Sequence, residues 1–157
     1  TPTWLPLDIY APDPNDMLKE LIALAKDRID VWIHAAAVLD YVIDEQVMGK
    51  IASLQGGLAI DLIEGPKHIL ELKNLCEGSV RIGFKLESGI KQKDLVHRAY
   101  AQIQNAGMTA TIANRLEDRN DPDKPRAWLI DSLGAHFVLN TVSDICESIR
   151  CVIENNR

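Results

Sequence analysis

Apolar residues recur along this chain in two alternating rhythms, and the switches between them lay out its elements. Met17, Leu18, Leu21, Ile22, Leu24 and Ala25 fall at helical spacing up to about Arg28. Before them stands a turn-and-cap cluster, Asp13-Pro14-Asn15-Asp16, in which Asn15 or Asp16 is expected to accept the helix's first free N–H groups. A continuous apolar strand is predicted over Asp30–Ala37, and Tyr41–Gly49 reads as irregular. Gln55-Gly56-Gly57 is a hairpin signal between Lys50–Leu54 and Leu58–Glu64, an antiparallel excursion from the main sheet. Gly65-Pro66 opens a helix expected to run to about Glu77, with Gly78 as its terminator. Val80–Leu86 is the next buried strand, Leu95–Asn105 an amphipathic helix closed by Gly107, and Met108–Ala113 a further strand. After a polar loop at Asn120–Pro125, Arg126–Asp131 and Ala135–Leu139 form a last hairpin around Ser132-Leu133-Gly134. Thr141 or Ser143 caps the final helix, whose apolar side is Ile145, Ile149, Val152 and Ile153.

Strands that alternate with helices predict a three-layer, Rossmann-like α/β domain with a mainly parallel sheet and an antiparallel hairpin excursion. The 157 residues make one domain, large enough to bury a real core. Net charge changes the functional picture more than composition does. At −6 the chain is no general nucleic-acid binder, although local cations and backbone N–H groups still allow a phosphate site. No apolar run approaches the ~20 residues of a membrane-spanning helix, and no secretory leader opens the sequence. Cys76, Cys146 and Cys151 form no C-x-x-C pair and would leave one thiol over, so a reducing cytoplasmic compartment is expected. His34, His68, His97 and His136 lie too far apart in sequence to read as a metal motif.

Val31–Tyr41, VWIHAAAVLDY, carries the first chemical signal. In open α/β sheets ligands sit beyond the carboxyl ends of the strands. There, three alanines let a flat group lie against the backbone, and Asp40 follows where a ribose hydroxyl or a cation could be held. The plain alternative is a strand running into an Asx turn.

Four later segments stand in order behind it: GKIAS (Gly49–Ser53), EGPKHIL (Glu64–Leu70), IGFKLES (Ile82–Ser88) and IANRLED (Ile112–Asp118). Together the five resemble the phosphopantothenoylcysteine synthetase family, the ligase of coenzyme A biosynthesis, from about Pro2 to the last helix. The resemblance implies a phosphopantothenate–cysteine ligase that activates the 4′-phosphopantothenate carboxylate with CTP or ATP and joins it to cysteine. Mg²⁺ is expected with the triphosphate, and the partners are these small molecules and a second copy of the chain in a homodimer whose contact lies at or near the hairpin. Chemistry of this kind needs charge stabilisation on phosphates more than a nucleophilic side chain. By resemblance, His34, Ala35 and Ala36 line the nucleotide, Asp40 holds its sugar or base end, and Lys50 is the catalytic cation, on a flap over the phosphates. Pro66, Lys67, His68 and Ile69 contribute at a helix start, and Phe84 packs on base or ribose. Each has an ordinary counterpart: His34 a packed core histidine, Lys50 a solvated strand-edge lysine, Phe84 a core ring. Asn114 ends a strand and orients a loop or reaches substrate.

Three departures from the family pattern bear on function. The chain opens on Thr1 and carries neither the T-x-G-G-T-type opening nor the N-x-S-S-G motif of family members, so it is expected to be incomplete at its N-terminus. Gly65-Pro66-Lys67 stands where many members have Asn-Pro-Asp. Gln102 and Ala106 occupy the positions of two helix lysines in CTP-using members, while Arg98 and the FKLE wording are closer to ATP-using ones. The rival class is a nucleotide-binding module without catalysis. A dinucleotide oxidoreductase would need G-x-G-x-x-G after a strand, and the sequence has none.

Overall fold

The computed structural model describes residues 8–44, 49 and 56–156. Among the described residues four helices and seven strands follow one another as α1 (Pro14–Ala25), β1 (Val31–His34), β2 (Tyr41–Ile43), β3 (Leu62–Glu64), α2 (His68–Glu71), β4 (Val80–Glu87), α3 (Gln92–Ala106), β5 (Ala110–Arg115), β6 (Ala127–Asp131), β7 (His136–Leu139) and α4 (Val142–Asn155). Five strands form one mixed sheet in the order β1-β4-β5-β6-β7, and β2 and β3 form a separate two-stranded ribbon. β1, β4 and β5 run parallel, with Val31 opposite Val80 and Ile82 opposite Ala110; β6 and β7 return antiparallel as the expected final hairpin.

Alternation along the strands sorts side chains to two faces. Val80, Ile82, Ile112, Ala127 and Leu139 point to the face covered by α4, where Ile145, Ile149, Val152 and Ile153 meet them. The opposite face has two clusters. α3 sets Leu95, Ala99, Ile103 and Ala106 against Ala113, Trp128 and Ile130. Trp32, Leu72 and Cys76 meet Leu21, Ile22, Leu24 and Ala25 of α1. Three layers result, with α4 on one side and α1, α2 and α3 on the other.

Capping explains where the helices begin and end. Asp13, rather than Asn15 or Asp16, caps α1: its Oδ1 accepts from the backbone N–H groups of Asn15 at 2.8 Å and Asp16 at 2.9 Å, with Pro14 opening the first turn. Thr141 and Asp144 form a reciprocal capping box on α4. Gly107 closes α3 in the left-handed region at φ 65°. Lys73 Nζ reinforces that end by donating to the carbonyls of Gln104 (3.3 Å) and Asn105 (2.9 Å).

Three elements differ from the sequence reading. β1 leaves the ladder after His34, so Ala35–Ala37 form an exposed ledge rather than the end of a buried strand. Tyr41–Ile43, read as irregular, is the strand that pairs with Leu62–Glu64; Lys50–Leu54 and Gln55 lie outside the described residues. The helix expected from Gly65-Pro66 to Glu77 is one turn, His68–Glu71, followed by tight turns to Gly78. Those turns seat Leu72 and Cys76, 0% and 3% exposed, beneath Trp32. Packing overrides local helical preference here.

Candidate functional site

The carboxyl ends of β1 and β4 open beside the base of the ribbon, and the candidates Ala35, Ala36, Asp40 and Lys67 gather there. From the ledge the chain climbs to Asp40 and turns into β2. The returning β3 passes so close that a Cβ on Gly65 would stand 3.1 Å from the Leu39 carbonyl oxygen and 3.3 Å from Val42 Cγ1. That approach lets Gly65 N–H donate to the Asp40 carbonyl at 2.8 Å. Two residues on, Lys67 Nζ donates to Asp40 Oδ1 at 2.5 Å. Hydrogen bonding to Lys67, then its charge, holds the Asp40 carboxyl below the ordinary carboxylate range, with a smaller contribution from Lys85. The same hydrogen bond raises Lys67. Both side chains are well exposed, so the pair itself contributes only about 0–1 kcal/mol. A ligand could displace either partner at little cost.

Other candidates are placed differently. The ring of His68, 5% exposed, contacts the Pro14 carbonyl through Nε2 at 2.6 Å and so ties α2 to the first turn of α1. A helix of four residues also offers almost no dipole, which removes the helix-start argument for an anion at Pro66–Ile69. Ile69 presents its carbonyl to Arg81 Nη2 at 2.9 Å. Phe84 is partly buried against the cluster beneath α4. Lys50 lies outside the described residues.

His34 stacks on Trp32, with ring centroids 6.0 Å apart and planes 7° from parallel. Its Nε2 lies 3.4 Å from Nε and Nη2 of Arg81. A guanidinium only donates, so Nε2 accepts and the ring proton of neutral His34 belongs on Nδ1. Burial first, then the charges of Arg81 and His68, push His34 down to about 4. It is a neutral, packed histidine at the root of the ledge.

Sequence reasoning passed over Arg81, whose signal was an arginine inside an otherwise apolar strand. It is 1% exposed. Nη1 donates to the Ala106 carbonyl at 2.5 Å and Nη2 to that of Ile69, so one side chain joins β4, the end of α3 and α2 behind the ledge. Gln102 and Ala106 also face inward. Ala106 is fully buried, and the Gln102 amide lies over Gly83, 2.5 Å from where a Cβ would be. Neither stands at the strand ends. Arg98 does, with Nη1 2.8 Å from Glu87 Oε2. Asn114 lies near the carboxyl end of β5, opposite Leu86. A separate shallow groove of about 250 Å³ lies between Asp118, Arg119, Asp121, Lys124, Arg126 and Asn140. Among the described residues no three His, Cys, Asp or Glu side chains converge as a metal site.

Comparison with known proteins adds the context. Residues 12–149 match the family described as DNA/pantothenate metabolism flavoprotein C-terminal domain. The coenzyme A biosynthesis bifunctional protein CoaBC of Methanocaldococcus jannaschii is 36% identical over 102 residues, 65% of this chain and 25% of that protein. Its counterpart in Thermococcus kodakarensis is 32% identical over 117 residues, 74% of this chain and 29% of that protein. The chain thus spans between a quarter and a third of these relatives' length. The crystal structure of the DNA/pantothenate metabolism flavoprotein from Streptococcus pneumoniae superposes with a TM-score of 0.79 at 23% identity, covering 92% of this chain and 71% of that one. A mutant of Cab2 in complex with phosphopantothenate-cysteine superposes with a TM-score of 0.67 at 19% identity, covering 91% of this chain and 50% of that one. At these identities the superpositions establish the fold.

Proposed function

Because the chain belongs to the DNA/pantothenate metabolism flavoprotein C-terminal domain family, we propose that it is the nucleotide-recognising portion of a phosphopantothenate–cysteine ligase. The observation that carries the reading is the exposed Ala35–Ala37 ledge leading into the Asp40–Lys67 pair at the carboxyl end of β1. Ala35 and Ala36 give a flat ligand room against the backbone. Asp40 accepts hydroxyl or amino hydrogens once Lys67 turns away to an anionic oxygen. Neutral His34, fixed by Trp32 and Arg81, holds the root of the ledge in place.

In the proposed reaction the phosphopantothenate carboxylate attacks the α-phosphorus of CTP or ATP and pyrophosphate leaves. The cysteine amine then attacks the acyl carbon, the amide forms and the nucleoside monophosphate departs. Lys50 and Lys67 would hold phosphate oxygens as point charges. Asp40 and Glu87 are each paired with cations, and among the described residues no three His, Cys, Asp or Glu side chains converge as a metal site. Mg²⁺ therefore fits this site as an ion carried by the triphosphate oxygens, whose charge it neutralises, rather than one held by the protein.

A homodimer in a reducing cytoplasmic compartment belongs to the same proposal. The ribbon supports the first part, since Tyr41, Ile43, Leu62 and Ile63 are all exposed. Free Cys76, Cys146 and Cys151 accord with the second. A module that binds nucleotide without turnover is the second reading, to which the exposed ledge and the Asp40–Lys67 pair are equally suited.

Pyrophosphate release by the purified chain separates the two. Release that requires both phosphopantothenate and cysteine is the expected result for the ligase; nucleotide binding without release favours the module. In an active chain, Lys50→Gln is expected to lower turnover by about a hundredfold, the scale of losing one transition-state charge contact. An unchanged rate would remove Lys50 from the phosphates.

A further inference from the structure

The carboxyl end of β4 carries a charge cluster outside the residues assigned so far. Lys85 and Glu87 stand two positions apart on the strand and share the face that bears Arg81, since Ile82 and Phe84 take the α4 side. The Glu87 side chain is only 15% exposed, and each of its oxygens holds a cation: Oε1 lies 3.1 Å from Lys85 Nζ, and Oε2 lies 2.8 Å from Arg98 Nη1. A half-sunk carboxylate thus keeps two cationic heads side by side while leaving them accessible, Lys85 at 34% and Arg98 at 53%. Lys85 also acts electrostatically on Asp40, so the cluster borders the ledge.

Two cations against one carboxylate leave a local positive excess on a chain of net charge −6. An arginine fork and a lysine point charge are the pair of donors that suits a chain of phosphate oxygens. The inner turns of α3 offer no such donor, because Gln102 is laid on Gly83 and Ala106 is buried. We propose that Lys85 and Arg98, held in register by Glu87, form the polyphosphate subsite of this edge. The assignment rests on the nucleotide reading above and names the side chains that receive the triphosphate. Glu87 is the positioning residue: it fixes both heads before the anion arrives, then shares them with it.

Inorganic tripolyphosphate, titrated calorimetrically into the full chain, tests the subsite without a base or sugar. The wild-type chain is expected to bind it. Lys85→Gln and Arg98→Gln should each weaken binding by about tenfold, the double variant by more, and Lys85→Arg should keep most of the affinity. Circular dichroism and thermal melts establish that each variant is folded. Absent binding to the wild type, or equal binding to wild type and the folded double variant, overturns the proposal. ATP and CTP titrated in parallel keep the two readings apart. Nucleotide affinity that survives the double substitution unchanged overturns the subsite and leaves the nucleotide reading standing. Tripolyphosphate binding that the substitutions abolish, with neither nucleotide bound by the wild type, upholds the subsite and overturns the nucleotide reading.

Discussion

Arg81 shows what one buried cation can organise. Among the described residues its guanidinium has no carboxylate partner and is satisfied instead by two carbonyls and the His34 ring. Arg81→Met would relieve the cost of burying the charge but orphan the Ala106 and Ile69 carbonyls. We expect a net loss of about 1–3 kcal/mol, read as a lower urea midpoint. Thr111 is the opposite case, a buried hydroxyl whose oxygen has no hydrogen-bond partner. Thr111→Val keeps the shape and removes the unmet group, so its urea midpoint should equal or exceed the wild type's.

His34 gives stability a defined pH dependence. Its folded value, about 4, lies below the ordinary 6.5, so between those values the unfolded chain binds more protons than the folded one. Stability is therefore expected to fall as pH drops from about 6.5 towards about 4, a range above that in which the depressed carboxyls of Asp40 and Asp144 titrate. Thermal melts of wild type and His34→Gln across this range provide the check, and the variant should lack that part of the decline. An identical pH profile in both would show that His34 does not set it.

At the scale of elements, α4 covers its face of the sheet and its start is fixed by Thr141 and Asp144. Thr141→Ala is expected to cost about 1 kcal/mol in urea unfolding through the lost cap, with the fold retained. The helix was legible in the sequence because a cap, a 3.6-residue apolar repeat and a hairpin before it all agreed. α1 and α3 were legible from their apolar repeats and the final hairpin from its turn residues, although the cap of α1 is Asp13. β2 was not: Tyr41, Val42 and Ile43 are three apolar residues in a row, so no polar–apolar alternation marks the strand in the sequence. α2 failed in the other direction, since Leu72 and Cys76 answer to Trp32 rather than to their neighbours in sequence. The candidate site was legible only as separate positions, Asp40 and the alanines, which the structure sets on one exposed edge. The partners of Asp40, Glu87 and Arg81 were not, because they join residues that only the fold brings together.

Across the whole molecule, the exposed apolar ribbon is the feature that bears on assembly. Ile43 and Leu62 stand opposite each other, 53% and 57% exposed. Under the proposed homodimer, Ile43→Lys should shift the sedimentation profile from dimer to monomer while leaving the melting temperature of the fold little changed. A dimer of undiminished strength would place the contact elsewhere.

The knot at Gly65 has a mechanical meaning. The ribbon leaves the domain through a crossing where a methyl group would press on the Leu39 carbonyl and Val42, and it is tied there to the Asp40 backbone by a hydrogen bond and to the Asp40 side chain through Lys67. Under the proposed homodimer, a two-stranded arm anchored in this way would act as a lever, with Gly65 as its fulcrum and Asp40 on the short side. A neighbouring subunit leaning on Ile43 and Leu62 would set the angle at which Asp40 meets its ligand. Dilution that separates the subunits should then loosen ligand binding at the ledge in the same step.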